Sequence, residues 1–195
     1  MGLYVTLPST FLPLVRYSVV GIGLVLLIPL VVLNPVRFRR ETTWSRRLSV
    51  TQTVLLLVAN LVALVQLIDQ LVNPGTLAGQ HLLLSAVQVW VTNVIAFALV
   101  YWEIDRGGPV SRSQTGEPGA RRTDLRFPQD DSPAVPGWRP DFLDYLVTSL
   151  WTSTAFSPTE AMPMSHRAKI VMALESVAGI VLFALVIGRS VNIFS

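Results

Sequence analysis

The stretch Asp141–Phe194, DFLDYLVTSLWTSTAFSPTEAMPMSHRAKIVMALESVAGIVLFALVIGRSVNIF, decides how the chain is read. It begins with a short apolar segment, Phe142 to Ala155, with Asp141 and Asp144 at its start, where acids favour a helix N-terminus. A helix of 14 residues is too short to cross a bilayer, which takes about 20. Phe156 to Pro163 carries Pro158 and Pro163, and a helix cannot run through them. After Arg167 and Lys169 an apolar run from Ile170 to Phe194 is long enough to span. Half-helix, turn and full helix is the order of a re-entrant pore loop followed by a pore-lining helix.

That stretch resembles the pore module of tetrameric potassium channels, over about the last quarter of the chain. Aligned without gaps, Ser153 and Thr154 fall on the threonines that open the filter motif TTVGYGD. Pro163 falls on the proline after the filter, Lys169 on a basic residue at the head of the inner helix, and Gly179 on its hinge glycine. Where the family carries V-G-Y-G-D, this chain has Ala155, Phe156, Ser157, Pro158 and Thr159. A potassium filter aims successive backbone carbonyls inward, and its glycines permit the unusual dihedrals. Pro158 fixes its own φ and restricts Ser157, so potassium selectivity does not carry over. The hydroxyls of Thr152, Ser153, Thr154, Ser157 and Thr159 stand where the filter would be.

The whole chain has 195 residues, 51% hydrophobic and 14% charged, with mean hydropathy +0.54, a composition of polytopic membrane proteins. Its net charge of +3 reflects arginines beside membrane segments rather than a nucleic-acid surface. Cysteine is absent, which excludes disulfides and thiolate metal sites. His81 and His166 lie far apart, so neither a metal centre nor a Ser-His-Asp arrangement has its parts, and neither an enzyme nor a cofactor is expected.

Three further membrane helices are read upstream: Phe11 to Leu33, with Pro29 as a kink, Leu48 to Leu71, and His81 to Trp102. Asn60, Gln66, Gln88 and Asn93 suit hydrogen bonds between helices, and Asp69 suits a helix end at the interface. The region 1–102 is thus a three-helix membrane region. Residues 103–140, rich in Gly, Pro, Ser and balanced charge, read as a flexible polar loop with Phe127 and Trp138 as anchors. Residues 141–195 form the pore-loop module. The fold expected is all-α, with four transmembrane helices and a re-entrant half-helix between the third and fourth.

Orientation draws two opposing readings. The connection 34–47 carries five arginines and the turn at 73–80 carries no basic residue, which puts the former in the cytoplasm. Potassium channels insert their pore loop from outside, and the inverted loop of ionotropic glutamate receptors reconciles the two. Glu175 shares a helix face with Gly179 and Phe183, the face that the resemblance turns toward a cavity. There it would form a ring that attracts cations, or it would instead lie shallow near the interface or cap the pore-helix hydroxyls of its own or a neighbouring subunit. The resemblance implies a homotetramer in the bilayer. The function expected is weakly selective permeation of monovalent cations, and the alternative is a channel-derived scaffold that does not conduct.

Overall fold

The computed structural model describes residues 43–72, 79–114, 123–158 and 160–194. The helix expected at Phe11 to Leu33, the connection up to residue 42, the turn at 73–75 and Thr159 lie outside the described residues. Among the described residues the chain is mostly helical. Helix α1 is Thr43–Val72, α2 is Gly79–Ile104, α3 is Pro109–Gln114, α4 is Phe142–Ala155 and α5 is His166–Phe194. Two-residue strands, β1 at Leu125–Arg126 and β2 at Met162–Pro163, pair antiparallel and are a small departure from an all-α chain.

Three helical stretches are long and apolar enough to cross a membrane: Ser49–Gln70, Leu83–Gly107 and His166–Gly188. Each has more than the roughly 20 residues that a bilayer requires. Large apolar side chains stand exposed along them, including Val54, Val65, Val87, Ile170, Val177 and Ile187. Such continuous apolar surface is unlike that of a water-soluble monomer.

Small residues bring these helices together. Ala63, Leu64 and Leu67 of α1, Ala86 and Val89 of α2, and Ala178 and Leu182 of α5 form one buried cluster. Asn60 donates from its amide to the Asn93 carbonyl oxygen at 2.6 Å, tying α1 to α2, as the polar residues inside these helices imply. Such a bond is worth about 0.6–2 kcal/mol in a membrane.

A second buried cluster occupies the end of the bundle where α2 finishes and α5 begins. It joins Phe97 and Tyr101 of α2, Leu125, Phe127, Tyr145 of α4, Ala161, and Ala168 and Met172 of α5. The described parts of 103–140 are folded onto this end. Asp105 organises them: one carboxylate oxygen accepts the backbone N–H groups of Asp124 at 3.0 Å and Leu125 at 3.1 Å, and the other accepts the Tyr145 hydroxyl at 2.6 Å. Arg112 lies over the rings of Trp102 and Tyr145 and donates to the carbonyls of Trp102 and Asp105. Arg167, at the start of α5, grips the Asp124 carboxylate and the Ile104 carbonyl. Phe127 is buried between Tyr145 and Trp138, the anchoring that its aromatic character implies. An average over 38 mostly polar positions does not register a buried acid and the two buried apolar side chains Leu125 and Phe127, which hold the described parts of the segment in place.

Candidate functional site

Helix α4 starts where the acids place it. Asp141 is extended, at φ −98° and ψ −177°, and its carboxylate accepts the N–H groups of Leu143 at 2.8 Å and Asp144 at 3.3 Å. The Asp144 carboxylate returns to the Asp141 N–H at 2.7 Å, so the cap is reciprocal. The helix ends at Ala155, ahead of Pro158, with Phe156 in the left-handed region at φ 57° and its N–H on the Thr152 carbonyl. That conformation costs a bulky residue about 1–2 kcal/mol.

Level by level, α4 descends alongside α2 and α5. At its first turns Phe142 and Tyr145 meet Trp102, near the end of α2. Four residues on, Ser149 reaches the Val94 carbonyl at 2.8 Å and the Glu175 carboxyl group. A turn further, the Ser153 carbonyl lies against Gly179, where an added Cβ would come within 2.6 Å of it. Gly179 is thirteen residues beyond His166, about 20 Å along α5. The chain then runs back: Met162 and Pro163 pair with Arg126 and Leu125, and the Met164 N–H reaches the Asp124 carbonyl at 2.8 Å. Asp124 in turn is bound to Arg167, so both limbs of this hairpin are fixed at one end of the bundle. The seven steps from Phe156 to Pro163 extend to about 24 Å, enough for that return.

Of the residues singled out as the filter equivalent, Thr152 to Pro158 are together at the hairpin's tip, and the hydroxyls of Thr152, Ser153 and Thr154 are engaged locally. Thr152 donates to the Thr148 carbonyl at 2.7 Å, Ser153 to that of Leu150 at 2.9 Å, and Thr154 to that of Leu150 at 2.8 Å. Thr152 and Ser153 are buried, while Thr154, Ala155, Phe156, Ser157 and Pro158 are exposed.

Glu175, Gly179 and Phe183 share a face, as their spacing implies, and that face is turned toward α2 and α4. Glu175 is wholly buried, and its carboxyl oxygens meet the hydroxyls of Tyr101 and Ser149. Within the single chain this geometry presents the contact with the α4 hydroxyl of Ser149 and places Glu175 in the interior of the bundle. Two hydroxyls of the same chain reach the group, and Gly179 lets α4 approach closely enough to bring one of them. Phe183 packs edge-on against Trp90 and Phe156.

Sequence reading missed Tyr101 and Asp105 as partners. Tyr101, beside Trp102 at a helix end where aromatic residues suit the membrane interface, is fully buried. Its acid lies 74 residues away, a separation that no local pattern reports. Above the mouth of the hairpin, burial and then the Asp105 carboxylate push the Tyr145 phenol above its ordinary value, so it remains an O–H donor. Among the described residues no group of three or more His, Cys, Asp or Glu side chains is placed to hold a metal ion. Comparison with protein-family models, curated proteins and solved structures found no match.

Proposed function

We propose that the chain is a channel-like integral membrane protein in which hairpin 142–163 enters the bilayer part-way and returns. Several copies would then surround a permeation path, four by the resemblance, and pass monovalent cations with weak selectivity. The observation that carries this reading is the hairpin's geometry. Helix α4, about 21 Å long, stops short of the roughly 30 Å hydrocarbon thickness, packs at Gly179 inside α5, and returns to the end it came from. Irregular backbone at membrane depth is tolerated only where protein buries it or water fills a cavity, and Phe156, Ser157 and Pro158 are exposed in the single copy. Neighbouring copies and a shared aqueous path would supply both conditions.

Arg46, Arg47, Arg106, Arg112, Arg126, Arg139, Arg167 and Lys169 belong to the end of the bundle that holds the hairpin's mouth. Arginine and lysine near short membrane segments favour the cytoplasm, so the mouth opens there in this reading. A single cysteine replacing exposed Ala134 would then escape an impermeant thiol reagent in intact cells and react after permeabilisation. Reaction in intact cells would reverse the orientation.

Flux through purified protein in liposomes tests conduction. Expected are cation-over-anion selectivity, little discrimination of potassium from sodium, and altered conductance in Thr154→Val. Sharp potassium selectivity would sink the reading. A second reading, a channel-derived scaffold that does not conduct, is favoured by one observation: Thr152, Ser153 and Thr154 spend their hydroxyls on carbonyls of their own helix. A folded tetramer without flux under any gradient would leave that reading.

A further inference from the structure

Tyr101 from α2, Ser149 from α4 and Glu175 from α5 meet in the interior of the bundle, each essentially without exposure. Glu175 lies nine residues into α5, about 14 Å along its axis. The contacts can be checked against the protons available. The Tyr101 hydroxyl has one proton and meets one Glu175 oxygen. The Ser149 hydroxyl also has one proton, yet it faces two oxygens: the Val94 backbone carbonyl at 2.8 Å and the other oxygen of Glu175. A carbonyl accepts and never donates. When the Ser149 proton lies on Val94, the contact between Ser149 and Glu175 needs a proton from the carboxyl group.

The surroundings agree. The described ion pairs join Asp105 to Arg106, Arg106 to Asp130, Arg126 to Asp131 and Arg167 to Asp124, and Glu175 is in none of them. Lys169 of α5 stands six residues toward the mouth, about 9 Å along the axis. From α4 the facing groups are Ser149 and Thr152, neither charged, and from α2 the facing titratable group is Tyr101 itself. A lone carboxylate in such a place loses its hydration with no cation to replace it, a cost that a buried group avoids by neutralising.

We propose that this cluster is a proton-binding site, in which Glu175 carries a proton and donates it to Ser149, Ser149 donates to Val94, and Tyr101 donates to Glu175. The protons of Tyr101, Glu175 and Ser149 are then each used once in a directed chain from α2 through α5 and α4 back to α2. Removing the proton turns the Ser149 link into competition for a single hydrogen and leaves a charge between the hairpin and the two long helices. The site would therefore bind hydrons within the contact that positions the hairpin. The inference stands on these three side chains alone, so a failure to conduct would not touch it.

Infrared spectroscopy of the full chain in lipid nanodiscs near neutral pH tests it directly. The expected result is a protonated-carboxyl stretch that shifts when glutamate is carbon-13 labelled, disappears in Glu175→Gln, and moves in Ser149→Ala as the acceptor is lost. Glutamine retains a donor for Ser149 and an acceptor for Tyr101, so Glu175→Gln should melt close to the native chain. The native chain with and without Ser149→Ala decides the matter even where the glutamine variant folds poorly. Absence of the labelled band in folded native protein, or its survival in Glu175→Gln, overturns the proposal. So does a glutamine variant that is folded but greatly destabilised, because a carboxylate charge would then have been the holding group.

Discussion

Asp105→Ala is expected to cost about 3–5 kcal/mol of stability, the largest loss from any single side chain at the hairpin's mouth. Three donors are stranded at once: the N–H groups of Asp124 and Leu125 and the Tyr145 hydroxyl, all at buried residues. Each buried donor left without a partner costs about 1–3 kcal/mol, and the three are not strictly additive. Arg106 and Arg112 lose a neighbouring charge as well, since Arg106 Nε lies 3.4 Å from the Asp105 carboxylate. Unfolding in detergent, followed by the fluorescence of Trp102 and Trp138, would register the change. Asp131→Ala is the comparison: its pair with Arg126 has both side chains more than half exposed, and the expected loss is about 0–1 kcal/mol. Similar losses from the two variants would show that the Asp105 bonds do not hold the segment.

Gly179→Val is expected to separate α4 from α5, with a loss of about 2–4 kcal/mol. The obstacle is backbone, because the Cβ would stand 2.6 Å from the Ser153 carbonyl oxygen and 3.3 Å from the Phe156 ring. A flexible side chain can yield, whereas the last turn of a capped helix yields only by moving bodily. Gly179→Ala should follow with a smaller loss of about 1–3 kcal/mol. Gly188 has nothing within 4 Å of the same position, and there alanine should gain up to about 1 kcal/mol from helix propensity alone. Opposite signs for the two alanine variants, read from thermal unfolding in detergent, identify Gly179 as a contact. Equal signs would remove the close approach of the hairpin from the account.

Local chemistry made α4 legible in advance. Asp141 and Asp144 set its start, Pro158 limited its end, and the helix occupies Phe142–Ala155 as the residues implied. The helix read at Leu48 to Leu71 is longer, Thr43–Val72, and that at His81 to Trp102 is Gly79–Ile104, because polar residues at the ends continue a turn that apolar counting cannot see. Helix α5 begins at His166 instead of Ile170. Ser165 caps it, its hydroxyl accepting the Ala168 N–H at 3.2 Å, and Arg167 points back to Asp124.

What stayed illegible depends on partners distant in sequence. The spacing of Glu175, Gly179 and Phe183 fixed a common face but not the neighbour it meets, since periodicity orders side chains around an axis and does not place the axis. Ser149 and Tyr101 lie 26 and 74 residues from Glu175. The same limit hid the contacts of the described parts of 103–140, where Asp105 acts on residues 19, 20 and 40 positions away.

The mouth of the hairpin, joined through Asp124 to Arg167, also bears on how the protein is made. A ribosome that has just delivered Pro163 has produced all of α4 and the strand that pairs with β1, yet Arg167, Glu175 and Gly179 are still to come. At that moment α4 has α2, Asp105, Arg112 and Phe127 to rest on, and its tip has not yet met Gly179. Helix α5, synthesised after the hairpin, is the one that closes the hairpin's contacts, so its arrival, and not the insertion of the earlier helices, commits the hairpin to this arrangement.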